Sequence, residues 1–309
     1  MDNRNEVVQQ QSMRMEKNKS RNKVLNKEQR VGYLLVLPTI ITICVVSLYP
    51  ILRTVWLSLH SMQLQFMSES KFIGLGNYKF LLSDSRFWHS LSNTAFFTVI
   101  SVALELVFGI LIALLINKPF RGRGLVRASV LIPWAVPTVV AAMMWKFIYD
   151  DQLGILNDIL VKVGILDSYR TFLGTESSAM WSMIFADVWK TTPFMALLLL
   201  GGLQTISKDI YESAEIDGAN KIRQFFYLTL PLLKPTILVA LLFRTLDAFR
   251  VFDLPWVLTG GTVESLSIYA YQSLFTNLDF GLGSALSFSV FIFVMLISLF
   301  YIKVLGVKR

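Results

Sequence analysis

Six long stretches of the chain are nearly free of charge, and short polar segments separate them. They cover residues 31–59, 92–117, 125–149, 178–203, 230–252 and 283–305. About 20 consecutive apolar residues suffice to cross a bilayer as a helix, so each stretch predicts one membrane span. Pro38, Pro50, Pro133, Pro137, Pro193 and Pro235 fall inside these stretches. Kinks there are tolerable because neighbouring helices can satisfy the freed backbone groups. No repeat of 20–50 residues interrupts the pattern. The fold class expected is all-α and polytopic: one six-helix membrane domain over residues 31–309, behind a polar tail at 1–30.

Composition agrees with a lipid solvent. Of the 309 residues, 54% are apolar and only 16% are charged, where a soluble domain carries about 25% charged residues. The net charge of +8 would suggest nucleic acid in a soluble protein. Here eight basic residues (Arg4, Arg14, Lys17, Lys19, Arg21, Lys23, Lys27, Arg30) precede the first span. Orientation at an anionic membrane face explains them, and nucleic acid is not an expected partner. The basic segment is too long, and the apolar run behind it too extended, for a cleavable signal peptide, so a retained cytoplasmic tail is predicted. The single cysteine, Cys44, excludes an intrachain disulfide.

Basic residues alternate in density along the connections. The 59–91 loop has Lys71, Lys79 and Arg86; the short 118–124 turn has Lys118, Arg121 and Arg123. The 150–177 loop has two basic residues against five acids, and the 253–282 loop has none. The pattern places the tail and the 118–124 turn inside the cell, and both termini cytoplasmic. In the 204–229 segment, Lys208, Lys221 and Arg223 are outnumbered by Asp209, Glu212, Glu215 and Asp217. Charge leaves its side weakly determined, and the parity of six spans makes it cytoplasmic.

That segment is too polar to insert and too patterned for a linker. Residues 210–217 can form a short helix, which Gly218 suits as a left-handed stop. Asn220 can cap a second helix over 221–227, and Leu230-Pro231 opens the next span. The spacing resembles the EAA loop of ABC importer permeases: Glu-Ala-Ala, three residues, Gly, nine residues, Ile-x-Leu-Pro. Here it reads Glu212-Ser213-Ala214, three residues, Gly218, nine residues, Leu228-Thr229-Leu230-Pro231. Ser213 for Ala and Leu228 for Ile are the departures. Further stretches resemble the sugar-permease branch: Phe72-Ile-Gly-Leu-Gly-Asn77-Tyr78, Asn93-Thr94, the Arg121–Arg127 run, Ile132-Pro-Trp-Ala-Val-Pro137 and Thr259-Gly-Gly261. The likeness covers residues 30 to 305 and is greatest to permeases for maltose, trehalose and related oligosaccharides. The large insert of some maltose permeases is missing from the 59–91 loop.

The resemblance implies a membrane-embedded permease of the type I ABC importer architecture in the cytoplasmic membrane. Its partners would be a second homologous permease, two ATPase subunits, an extracytoplasmic solute-binding protein, a sugar and the bilayer. The 204–229 loop would be the coupling loop seated in the ATPase, with Glu212, Ser213, Ala214, Asp217, Gly218 and Ala219 as docking residues. ATP and magnesium would sit on the partner ATPases, and no cofactor in this chain. The sequence has no phosphate-binding G-x-x-x-x-G-K-[ST] loop, no H-E-x-x-H, only His60 and His89 as histidines, and no evident nucleophile–base pair. The chain is therefore not expected to be an enzyme.

Charges inside spans are costly and are functional candidates by default. Glu105 lies in the second stretch, Asp187 and Lys190 in the fourth, Arg244, Asp247 and Arg250 in the fifth. Asp187 and Lys190 are three residues apart, on one helix face, where they can pair. An ion-pair network holding helices together and a polar translocation path both fit, and they can coexist. In maltose-type permeases sugar contacts come from the helices flanking the coupling loop. That implies a path at Asp187, Lys190, Thr191, Phe194, Phe243, Leu246, Asp247 and Arg250. Charged groups there can hydrogen-bond sugar hydroxyls, and phenyl rings can stack on a pyranose. Two alternatives remain open: glycerol 3-phosphate as the solute, or a gradient-driven secondary transporter using the charges as an ion relay. A membrane enzyme with Asp187 or Asp247 catalytic is the least supported.

Overall fold

The computed structural model describes residues 29, 31–64 and 70–305. The eight basic residues of the tail, and Lys308 and Arg309, lie outside them. Two compact units divide after Trp56. The first contains most of helix α1 (Val31–Ser58), which widens into a π-turn at Cys44–Leu48.

The second unit holds the rest. A two-residue hairpin, β1 (His60–Ser61) with β2 (Lys71–Phe72), precedes α2 (Gly76–Ser83) and α3 (Ser85–Asn117). Helices α4 (Arg123–Ala135) and α5 (Thr138–Ile148) follow, then α6 (Ile155–Lys162), α7 (Glu176–Gln204) and α8 (Lys208–Ile216). Helix α9 (Lys221–Ala248) leads into the short helices α10 (Asp253–Thr259) and α11 (Leu266–Tyr271), and α12 (Phe280–Leu305) ends the described chain.

Five of these helices (α1, α3, α7, α9 and α12) are long and apolar enough to cross a membrane. The third expected span, 125–149, is instead two helices, α4 and α5, bent by 88°. Pro137 is the physical cause. It lacks an N–H and pushes the residue before it out of the helical region, and Val136 is extended at ψ 130°. Counted as one broken span, the pair makes six. The second span starts earlier than expected, at Ser85. At 33 residues α3 is about 50 Å long, more than the roughly 30 Å hydrocarbon layer needs, so its polar first turns extend beyond it. Asp84 caps that end, accepting from Arg86 N at 3.0 Å.

Helix α7 is the axis of the bundle: 72% of its most apolar stretch is buried, against 33% for α3 and 17% for α9 and α12. The outer helices present their apolar faces outward, as lipid demands. Small residues let α3 and α7 approach closely; Gly109 sits directly against Met195 and Ala196. One core joins Phe97, Trp145, Met183, Ile184, Leu254 and Leu258. Another, nearer α8, joins Ile116, Met195, Leu199, Leu203 and Leu233.

Two resembling motifs prove to be loop fasteners. Asn77 Nδ2 donates to Ser58 O (2.8 Å) and His60 O (3.0 Å), and Tyr78 Oη to Ser58 Oγ (2.7 Å). Asn93 Nδ2 donates to Glu264 O (3.2 Å), and Thr94 Oγ1 accepts from Leu266 N (3.0 Å), tying α3 to the segment before α11.

Candidate functional site

The site begins with a buried guanidinium. Arg244 on α9 is 3% exposed, and an unpaired charge so placed would be expensive. It is not unpaired. Its Nε donates to Glu105 Oε2 at 2.5 Å and its Nη2 to Glu105 Oε1 at 2.9 Å. Nη2 also donates to Asp187 Oδ2, and Nη1 to Asp247 Oδ2 at 3.0 Å. Glu105 on α3 is 0% exposed and Asp187 on α7 is 6% exposed, so three helices meet at one cation. Thr191 Oγ1 lies 2.6 Å from both Glu105 Oε1 and Asp187 O, and its single proton serves one at a time.

The network has a dry end and a wet end. Glu105 closes the dry end. The side chain of Asp247 is 70% exposed and opens on a polar cavity of about 150 Å³. Asp187, Lys190, Thr191, Asp247 and Arg250 of the expected path all line it, and Asp253 joins them. Phe194, Phe243 and Leu246 do not. Phe194 stacks on Trp134 with ring centroids 5.4 Å apart, Phe243 is 58% exposed, and Leu246 is half-buried. By helical spacing they share a stripe with the cavity residues, Phe194 and Phe243 a turn nearer α8, and none of the three lines the cavity.

The expected pairing of Asp187 with Lys190 is replaced by Asp187 with Arg244. The reason is burial. Lys190 is only half-buried, whereas Arg244 is enclosed and requires counter-charge. Lys190 and Arg250 make no ion pair among the described residues, and Arg250 Nε donates to Leu246 O at 3.3 Å. Glu105 and Arg244 were visible in the sequence as charges within spans. Nothing in one sequence says that residues so far apart grip each other.

The segment between α7 and α9 is a second structured element. Ser207 Oγ caps α8, accepting from Asp209 N at 3.3 Å. Gly218 has φ +79°, the left-handed stop expected from sequence. Ala219 N donates to Ala214 O at 2.8 Å and Gly218 N to Glu215 O at 3.0 Å, the paired bonds of a Schellman ending. Asn220 Oδ1 caps the next helix, accepting from Arg223 N at 2.8 Å. That second helix does not stop at 227. It passes through a π-turn at Phe225–Thr229 and continues as the span α9. Lys221 pairs with Glu215, and Tyr211 Oη lies 3.1 Å from Thr229 Oγ1. Glu212, Ser213, Asp217 and Gly218 are exposed, while Ala214 and Ala219 are half-buried. This element is therefore tied to α9 by the Glu215–Lys221 pair and the Tyr211–Thr229 contact, and Glu212 and Asp217 are exposed on it.

A family model described as binding-protein-dependent transport system inner membrane component matches residues 105–305. The chain is 45% identical, over 292 residues, to the trehalose/maltose transport system permease protein MalF of Thermococcus litoralis. That alignment covers 93% of this chain and 97% of the relative. It is 42% identical over 281 residues to the trehalose transport system permease protein SugA of Mycobacterium tuberculosis, covering 90% of each. The fold matches a chain in the crystal structure of a bacterial ABC transporter involved in the import of the acidic polysaccharide alginate. The TM-score is 0.78 at 23% identity, over 92% of this chain and 98% of that one.

Proposed function

The chain belongs to the family of binding-protein-dependent transport system inner membrane components, and from that premise we propose that it is one of two permease subunits of an ATP-driven importer whose solute is a sugar of the trehalose or maltose kind. The observation that carries the reading is an alignment of parts. Helices α7 and α9 supply the charged groups Asp187, Lys190, Arg244 and Asp247 of the polar cavity, and α8 joins those same two helices. A push on α8 can reach the α7 and α9 sides of the cavity, because α8 follows α7 directly and α9 runs from Lys221 to Ala248.

In this reading two ATPase subunits dock beneath the permease pair, one under each coupling segment. Glu212, Ser213, Ala214, Asp217, Gly218 and Ala219 form this chain's docking face. ATP and magnesium stay on the ATPases, and this chain carries out no hydrolysis. The 1–30 tail and both termini lie on the ATPase side. An external binding protein delivers the solute from the other. Closure of the ATPase dimer moves α8 and tips the permease pair from inward- to outward-facing, by rigid-body motion around a site near mid-membrane. Asp187, Lys190, Thr191, Asp247 and Arg250 offer donors and acceptors to sugar hydroxyls. Glu105 and Arg244 brace the wall behind them. Lys190 and Arg250, which lack carboxylate partners among the described residues, favour a phosphorylated polyol such as glycerol 3-phosphate as the second reading.

The test is a gentle detergent purification of the tagged chain from its host, with subunit masses and stoichiometry, beside the variant Glu212→Lys/Gly218→Val. A second permease and two ATPase copies should accompany the wild-type chain, and the ATPase copies should be lost from the variant. Recovery of the chain alone, with transport driven by an ion gradient, would replace the proposal with a secondary transporter. Uptake assays with trehalose, maltose and glycerol 3-phosphate separate the two solute readings.

A further inference from the structure

The polar cavity has an aromatic neighbour. A second, largely apolar cavity of about 310 Å³ is lined by Phe252, Tyr271, Leu274, Phe275 and Val290, with Arg250, Ser267 and Ser287 as its polar points. Arg250 and Phe252 also line the polar cavity, so the two spaces share a wall. From that wall an arc of rings runs outward. Phe252 stacks on Trp256, with centroids 6.1 Å apart and planes 13° apart. Tyr271 lies 5.0 Å from Phe252 and 5.5 Å from Trp256, and Phe275 lies 4.9 Å from Tyr271. Trp256, Tyr271 and Phe275 are all exposed.

The local fold is built to hold this arc. Gly260 (φ +62°) and Gly261 (φ +93°) turn the chain between α10 and α11, which gives the Thr259-Gly-Gly261 motif its purpose. Ser265 Oγ donates to Val251 O at 2.8 Å and, as N-cap of α11, accepts from Ile268 N at 3.2 Å. Arg86 clamps Glu264 with two hydrogen bonds of 2.9 and 2.6 Å and lies over the Tyr269 ring at 4.3 Å. A π-turn at Gln272–Thr276 then carries Phe275 onward from Tyr271. Such turns recur at functional sites.

We propose that this arc is a second sugar subsite, which takes the outer ring or rings of a solute whose inner ring sits at the polar cavity, and so extends the range from disaccharides to oligosaccharides. Flat apolar rings beside a few hydroxyl and guanidinium groups suit a pyranose, which has an apolar face and a polar rim. Arg250 and Phe252 border both cavities, so successive rings of one solute can meet at those two residues. The arc follows the end of α9 opposite α8, which is the side from which a delivered solute arrives. The rival explanation is a belt of aromatic residues at the membrane surface. A belt has no reason to share Arg250 and Phe252 with a polar cavity. The inference rests on the sugar reading above.

The test uses vesicles containing the complete transporter with saturating binding protein, and compares maltotetraose with maltose uptake. The ratio of the two rates cancels losses in folding or assembly. Trp256→Ala and Tyr271→Ala should each lower the ratio about five- to tenfold, the scale of one aromatic contact, while Trp256→Phe preserves it. A ratio unchanged in both alanine variants, or a wild type that imports maltose but no maltotetraose, would overturn the subsite and leave the sugar reading standing. A wild type that imports neither of these nor trehalose would sink the sugar reading itself, and the subsite with it.

Discussion

Arg244 and Glu105 are 139 residues apart in sequence, yet both oxygens of the Glu105 carboxylate accept from the Arg244 guanidinium, at 2.5 and 2.9 Å. The pair ties α3 to α9, and Asp187 adds α7. A bundle in lipid gains little from the hydrophobic effect between helices, so packing and polar contacts must hold it.

Removing the cation alone should be severe. Arg244→Leu leaves Glu105 and Asp187 buried without counter-charge, and breaking a buried pair costs about 3–5 kcal/mol. The unfolding midpoint of the detergent-solubilised protein should fall accordingly. The triple variant Glu105→Leu/Asp187→Leu/Arg244→Leu should recover most of that loss, because a well-packed apolar replacement of a buried ion network is often neutral. It should not recover uptake, since Asp187 also walls the cavity. A single variant as stable as wild type would show that the network contributes nothing to the bundle.

Gly218 supplies a cleaner test of the proposed coupling segment. A side chain there would meet nothing within 4 Å, and φ is +79°, so any penalty comes from the backbone alone. A β-branched residue resists that conformation by roughly 1–2 kcal/mol, whereas asparagine tolerates it. Gly218→Val should uncouple ATP hydrolysis from uptake or release the ATPase, while Gly218→Asn retains most activity. Equal behaviour of the two variants in an uptake assay would mean that the left-handed turn is immaterial.

Much of this was readable before the structure, and the particular residues explain why. Gly218 and Asn220 are local devices: a turn and a cap depend on neighbours within a few positions, and both stand where the spacing placed them. The apolar stretches were equally plain, because lipid imposes a single length scale. What stayed hidden was pairing across distance. Asp187 has Lys190 three residues away, yet bonds Arg244, which is 57 away. Phe252, Trp256, Tyr271 and Phe275 show no periodicity that separates them from ordinary core aromatics. Only the fold of residues 252–276 joins them. The break at Val136-Pro137 was hidden for another reason: proline can kink a span or snap it, and tertiary packing decides which.

The ion pair of Glu215 with Lys221 gives a pH signature. Lys221 beside it holds the Glu215 carboxyl below its ordinary range, with a smaller contribution from Gln224. A carboxylate whose folded value is depressed stabilises the fold above its ordinary pKa, and that contribution is lost as pH falls through the lowered value. The pair is exposed, so the effect is small. Glu215→Gln should therefore lower the unfolding midpoint slightly at pH 7, with the two curves converging as the pH drops below the lowered value. A gap that widened on acidification would reverse the assigned sign.

A close helix contact is sensitive to volume. A Cβ on Gly109 of α3 would come within 2.7 Å of Met195 Cγ and 3.1 Å of Met195 Cβ on α7. The Met195 side chain is itself enclosed, 1% exposed, so it has little room to withdraw. Gly109→Val must push α3 off the axis helix or force Met195 from its rotamer, a cost of about 1–3 kcal/mol in a packed interior. Gly124→Ala is the control. It lies within α4 with nothing within 4 Å of the added carbon, and alanine in a helix should be neutral or slightly stabilising there. If the steric account is right, adding Met195→Ala to Gly109→Val returns part of the lost stability, because two residues in contact do not act independently. Unfolding midpoints of the four proteins decide it: a Gly109→Val variant as harmless as Gly124→Ala would mean that α3 and α7 are not pressed together at this point.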